Sequence, residues 1–199
     1  MKKTTAFLVA ALAMCAASPA MALGLKYGAR LGYGMGMPDP SKGVDSASVM
    51  DVGLGVQLDL AIVGIEVDAL YNRQTITPKG GGGDSVTGNI ALPILGRFSL
   101  PVIPLLLSLD FGAGLEPRFP ISATVDGKDK PTGIPGAKAY KEGLTAMPLY
   151  LPILIGATLD LHFITANLDL RYERDLTQLN KKGSAVKNHE FVAMAGVFF

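Results

Sequence analysis

His189-Glu190-Phe191-Val192-Ala193-Met194-Ala195-Gly196-Val197-Phe198-Phe199 closes the chain, and its alternation decides the fold. Counted back by twos, Phe199, Val197, Ala195, Ala193 and Phe191 make an unbroken apolar face with an aromatic ring at each end. Phe198, Gly196, Met194 and Val192 make the opposite face, apolar too but smaller in its middle. Successive strand residues point to opposite sides of a sheet. About ten residues in a tilted strand are enough to cross the hydrocarbon of a membrane.

Working outward from that segment, the same period of two recurs seven times. Residues 25–35 set Leu25, Tyr27, Ala29, Leu31, Tyr33 and Met35 against Lys26, Gly28, Arg30, Gly32 and Gly34. The second strand sets Val52, Leu54, Val56, Leu58 and Leu60 against Asp51, Gly53, Gly55, Gln57 and Asp59. The third sets Ile65, Val67, Ala69 and Tyr71 against Glu66, Asp68, Leu70 and Asn72. A fourth, over 89–100, carries Ile90, Leu92, Ile94 and Phe98 opposite Pro93, Leu95 and Arg97. The fifth carries Leu105 to Leu115 at alternate positions opposite Ser108, Asp110, Gly112, Gly114, Glu116 and Arg118. The sixth, from Leu149 to Leu161, has Tyr150, Pro152, Leu154, Thr158 and Asp160 opposite. The seventh sets Ala166, Leu168, Leu170 and Tyr172 against Asn167, Asp169, Arg171 and Glu173. Pro93 and Pro152 fit a closed sheet worst, since proline removes a ladder donor, and bulges are expected there.

Turn-rich stretches at 37–46, 76–88, 120–143 and 177–188 alternate with tight connections near 62–64, 101–104 and 162–163. Neither the Gly-x-Gly-x-Gly of the first strand nor the Gly80–Gly83 run is followed by the helix or the Lys-Ser/Thr pair that a phosphate loop needs. The first is read as small residues facing a narrow interior and the second as a flexible loop.

The N-terminus supplies the compartment. Met1-Lys2-Lys3, an apolar stretch from Ala6 to Ala17, and Ser18-Pro19-Ala20-Met21-Ala22 have the layout of a secretory signal peptide, residues 1–22, cut after Ala22. Its removal deletes two of the 18 basic residues and leaves a chain, 23–199, of formal charge −1 against 17 acidic ones. The single Cys, Cys15, lies in that leader; Leu12-Ala13-Met14-Cys15 departs from a lipoprotein cleavage box at Met14. The exported chain therefore has no disulfide and relies on strand pairing. Near-neutral charge argues against a nucleic-acid partner.

Which face meets lipid is decided by charge. Fourteen charges fall on one side of the strands: Lys26, Arg30, Asp51, Asp59, Glu66, Asp68, Arg97, Asp110, Glu116, Arg118, Asp160, Asp169, Arg171 and Glu173. An Arg or Lys facing the bilayer midplane costs about 2–4 kcal/mol, so this side faces inward and the apolar side outward. The fold expected is all-β: an eight-stranded antiparallel up-and-down transmembrane β-barrel. Closure leaves no unpaired edge in the bilayer. Long and short connections alternate, so both termini share the side of the short turns, the periplasm.

The terminal strand with its Phe191, Val197 and Phe199 resembles the C-terminal signal of bacterial outer-membrane barrels. That resemblance implies recognition by the barrel-assembly machinery and a lipid-embedded protein of the cell outer membrane. The whole exported chain resembles the small OmpA-type and OmpX-type barrels. Leu92-Pro93-Ile94-Leu95 and Leu151-Pro152-Ile153-Leu154 are similar to a strand motif of the outer membrane protein β-barrel domain family.

Eight strands enclose only enough room for their own side chains. The inward charges are therefore expected either to pair and plug the lumen or to line a narrow ion path. Leu95, Leu106, Tyr150 and Leu154 form an apolar lumen patch, read as packing or as a cleft for a small hydrophobic molecule. The exported chain has only His162 and His189, no Cys and no metal-ligand spacing, so no catalytic set, metal or other cofactor is expected. The function expected is a monomeric structural or surface-interaction barrel, with a narrow porin or transporter as the alternative.

Overall fold

The computed structural model describes residues 24–39, 44–79, 83–125, 128–130, 147–177 and 187–199. The leader and its cleavage site lie outside these residues. Ten strands form: β1 (Leu25–Asp39), β2 (Val44–Leu60), β3 (Val63–Pro78), β4 (Ser85–Ala91), β5 (Ile94–Ile103), β6 (Leu107–Val125), β7 (Lys128–Lys130), β8 (Leu149–Asp160), β9 (Thr165–Asp175) and β10 (Lys187–Phe198). β4 and β5 are consecutive pieces of one barrel stave, both pairing with β3 and β6, and β7 only extends β6 in a short hairpin. Each remaining neighbour pair is antiparallel, and β10 closes on β1. Among the described residues the barrel thus has eight staves.

The register gives its dimensions. Leu25 pairs with Leu58, then Ile65, Gly96, Ala113, Ile153, Tyr172, Phe191 and finally Met35. One circuit therefore returns ten residues further along β1. With about 3.3 Å per residue and about 4.8 Å between strands, this stagger tilts the strands by about 40° and sets a backbone radius of about 8 Å.

The two prolines interrupt the ladder without the expected bulges. Leu92 and Pro93 separate β4 from β5, yet β3 holds one register across the gap, and the Pro93 carbonyl still accepts from the Asp68 N–H at 3.0 Å. Pro152 faces Glu173 in an unshifted register; on its other side, β6–β8 pairing skips Gly114 and Leu115 and resumes unchanged. A proline forfeits one donor and leaves its carbonyl free, so a missing hydrogen bond suffices. The register shifts fall instead at Val44/Ser46, Gly88/Asn89 and Pro101/Ile103.

The strands also run further than their apolar cores. β1 and β2 extend into the stretch 37–46, β3 and β4 into 76–88, β6 and β7 into 120–143, and Lys187 and Asn188 belong to β10. Polar hairpin ends such as Ile76-Thr77 against Ser85 continue the backbone pairing, helped by the Thr77 hydroxyl donating to Asp84 at 2.9 Å, although their composition reads as loop. At the opposite end the connections are as tight as expected, at 61–62, 104–106 and 161–164.

Candidate functional site

The fold turns the charged face of every stave inward, and there the side chains assemble into layers. The first is built from five staves. Arg30 (β1), Arg97 (β5) and Arg171 (β9) converge on Glu66 and Asp68 (β3), Asp169 (β9) and Asp110 (β6). The Glu66 carboxylate lies 2.8 Å from Arg30 and 2.5 Å from Arg171, pairs with Arg97, and accepts from Gln57 at 2.6 Å. Asp169 pairs with Arg30 and stands 3.4 Å from Arg97 and 3.7 Å from Arg171. Asp68 is 3.2 Å from Arg171 and 3.7 Å from Arg30. Asp110 takes Arg97 at 3.1 Å and hydroxyl donors from Ser99 at 2.6 Å and Thr158 at 2.5 Å. All seven side chains are buried.

A second layer lies toward the long-loop end. Arg118 (β6) pairs with Glu116, Glu173 and Glu190, the last at 2.9 Å, and its guanidinium sits 3.7 Å above the Tyr150 ring. Glu190 also accepts from Asn188 at 2.7 Å and Gln74 at 3.3 Å. Beside it, Asn72 donates to Asp51 at 2.8 Å and accepts from Asn89 at 3.1 Å. Beside these polar groups packs a buried apolar cluster of Val49, Leu70, Ala91, Val192 and Met194. On β3, Leu70 falls between Asp68 and Asn72, and on β10 Val192 and Met194 fall on the turn side of Glu190.

At the turn end the mouth is held by Lys26, whose ammonium bridges Asp59 at 3.1 Å and Asp160 at 3.3 Å, all partly exposed. A cavity of about 200 Å³ opens there, bounded by Lys26, Gln57, Asp59, Ser108 and Asp160 and floored by Arg97 and Asp110. Fully buried Phe198 lies nearby, its ring 5.5 Å from the Arg30 guanidinium. It fits because Gly28, Gly55 and Gly196 surround it; a Cβ on Gly196 would come within 2.7 Å of the ring and one on Gly55 within 3.3 Å.

Of the sequence-expected lumen charges, Arg30, Asp51, Glu66, Asp68, Arg97, Asp110, Glu116, Arg118, Asp169, Arg171 and Glu173 are buried in these two layers, and Lys26, Asp59 and Asp160 stand at the mouth. The apolar patch does not form one site. Leu95, Tyr150 and Leu154 are buried, but Tyr150 serves as the platform for Arg118 and Leu154 packs over Gly112. Leu106 is a correction: it lies in the turn before β6, 40% exposed, because Leu105 adopts φ 63° and reverses the chain there. Phe191, Val197 and Phe199 face outward, on the lipid side. Asp175 and Glu190, both buried, escaped the sequence reading, although each shares the inward parity of Glu173 or Val192. His189 is engaged by Tyr172, Nδ1 to hydroxyl 2.6 Å, with the rings stacked.

A closed barrel that is apolar outside and ion-paired inside is an integral membrane barrel, crossing with strands. The chain belongs to the outer membrane protein beta-barrel domain family, whose model matches residues 7–199. Among solved structures it resembles neisserial surface protein A (NspA), at 15% identity and a TM-score of 0.59, over 88% of this chain and 97% of that one. It also resembles Ail, the attachment invasion locus protein of Yersinia pestis, at 14% identity and a TM-score of 0.46, over 87% and 98%. No curated protein matches the chain in sequence. The protein is therefore a β-barrel of the bacterial outer membrane, surrounded by lipid, with its lumen plugged by paired charges.

Proposed function

We propose that this barrel is a non-enzymatic structural or surface-interaction protein that presents its long loops outside the cell and conducts nothing. The observation that carries this reading is the first charge layer. Three guanidiniums and four carboxylates from five staves meet across an interior only about 8 Å in backbone radius, which fills the cross-section with ion-paired side chains. The first and last described residues, Gly24 and Phe199, share one end with the three tight turns, and that end is the periplasmic one in this proposal.

Planar-bilayer recording of the purified protein, with Arg97→Ala alongside, tests it. A silent bilayer containing heat-modifiable wild-type barrel agrees with a plug. Discrete wild-type openings that change with Arg97→Ala would overturn it in favour of a narrow porin, for which the mouth cavity above Arg97 would be the vestibule. In assembly, the outward Phe191, Val197 and Phe199 are the surface offered to the barrel-assembly machinery. Phe199→Ala should slow insertion in cells while leaving the unfolding midpoint of inserted barrel unchanged; equal insertion rates would remove that role. The barrel acts as a monomer, which sedimentation in detergent checks.

A further inference from the structure

We infer that the barrel sits low in its membrane, with all three of its turns immersed among the lipids of the turn-side leaflet instead of projecting into water. The first observation is the placing of the outward charges. On β3 the outward residues above the turn are Val63, Ile65, Val67, Ala69 and Tyr71, and the next is exposed Arg73. On β9 they are Ile164, Ala166, Leu168, Leu170 and Tyr172, and the next is exposed Arg174. Each arginine stands ten residues from the turn. At about 3.3 Å per residue and a tilt of about 40°, ten residues rise about 25 Å. The apolar band of an outer-membrane barrel is itself about 25 Å tall. On these two staves, a band that begins below Arg73 and Arg174 ends only at the turns.

The turns are made for that position. Ala61 and Ile62, Val102 to Leu106, and Leu161 to Ile164 carry no Asp, Glu, Lys or Arg, and Leu105 and Phe163 are 88% and 81% exposed. Each turn has one non-glycine residue at positive φ: Ala61 at 64°, Leu105 at 63° and His162 at 68°. Glycine or asparagine adopts that conformation at least cost, so a bulky leucine held there points to a use for its side chain. Several turn backbone groups are also satisfied from within, which suits a site away from water. Leu106 N–H donates to Ile103 O at 3.0 Å, Phe163 N–H to Leu161 O at 2.8 Å, and Leu161 N–H to Ile164 O at 2.9 Å. Asp160 N–H reaches across to Leu106 O at 2.8 Å, Ser99 N–H reaches Ile62 O at 2.8 Å, and the Asp160 carboxylate accepts from His162 N–H at 3.0 Å. On the inner side Ile62, Leu105 and Leu106 border the mouth cavity with Lys26, Asp59 and Asp160; the outer apolar surface of the turns continues the lipid-facing belt, so its occupant is phospholipid.

The test uses the full chain carrying Cys15→Ala, so that one introduced thiol is unique, purified from membranes. Leu105→Cys, Phe163→Cys and, at the opposite end, Asp84→Cys are labelled with an environment-sensitive fluorophore in phosphatidylcholine–phosphatidylglycerol vesicles. Each is checked for heat modifiability, and Ile62→Cys replaces either turn variant that fails. Iodide is equilibrated across the vesicles by freeze–thaw, and brominated lipid is mixed in separately. Labels in the turns should be quenched by brominated lipid at least threefold more than by iodide, and the Asp84 label the reverse. Iodide quenching in the turns equal to that at Asp84, with no lipid quenching, would overturn immersion and leave the apolar turns to a protein partner.

Discussion

Glu66 is the carboxylate on which the first layer depends most closely, and replacing it by glutamine isolates its charge. It touches Arg30, Arg97 and Arg171 and accepts from Gln57, in a site with no solvent exposure. Hydrogen bonds to charged groups contribute about 1.5–3 kcal/mol each, so three would sum to roughly 5 kcal/mol or more. That sum overstates the loss, because Asp169 also faces all three guanidiniums and Asp68 faces two of them. Breaking one member of a buried pair costs about 3–5 kcal/mol, and the lower half of that range is expected for an isosteric amide. At a urea slope of about 2 kcal/mol/M, the midpoint should fall by about 1.5–2 M. The chain has no Trp, so the assay is gel mobility of unboiled barrel across a urea series in lipid vesicles. Glu66→Gln combined with Arg97→Gln should cost less than the two changes summed, since each single change strands a charge that the double change removes. A midpoint shift under about 0.5 M (about 1 kcal/mol), or strict additivity, would refute an interdependent network.

Two further outcomes concern the other layers. Phe198→Ala removes a fully buried ring and should cost about 3–5 kcal/mol in the same urea series; a loss below about 1 kcal/mol would show that the glycine slot closes on its own. Arg118→Ala leaves Glu116, Glu173 and Glu190 without their shared cation. It should destabilise the barrel by about 3 kcal/mol or more. Any current it permits should be cation-selective, which reversal potentials in a salt gradient would report.

The staves were legible because a membrane barrel writes its two faces in alternate residues: Ile65 to Tyr71 outward and Glu66 to Asn72 inward leave no second reading. Three kinds of information were not. Where lipid ends, alternation loses its apolar half, so the polar hairpin ends at 44–46 and 76–78 read as loop although backbone pairing continues. Leu106 has inward parity, but parity holds only within a strand, and positive φ at Leu105 resets it. Phe198 read as one half of a doubly apolar strand; its inward slot depends on Gly28 and Gly55, distant in sequence and adjacent only after closure. Glu190 and Asp175 were recoverable by carrying parity one or two residues past the apolar core.

Why such a barrel keeps an ion-paired interior follows from its route as much as from its stability. A buried ion pair replaced by well-packed apolar residues is often neutral or stabilising, so the folded barrel would tolerate an apolar lumen. The unfolded chain would not. Its inward Arg, Asp and Glu residues keep every stretch from Leu25 onward short of the roughly 20 apolar residues that make a transmembrane helix. With Asp169, Arg171 and Glu173 changed to leucine, no charge would remain between Leu161 and Tyr172, and only Thr158 and Asp160 would separate that stretch from the apolar run Leu149 to Ala157. Adding Thr158→Leu and Asp160→Leu removes that break and gives the sixth and seventh staves the apolar length of a spanning helix. Such a variant should refold in detergent yet accumulate in the inner-membrane fraction of cells, whereas Leu substitution at the outward Arg174 alone should not misroute. Equal recovery of both in the outer membrane would show that lumen charge serves the folded state only.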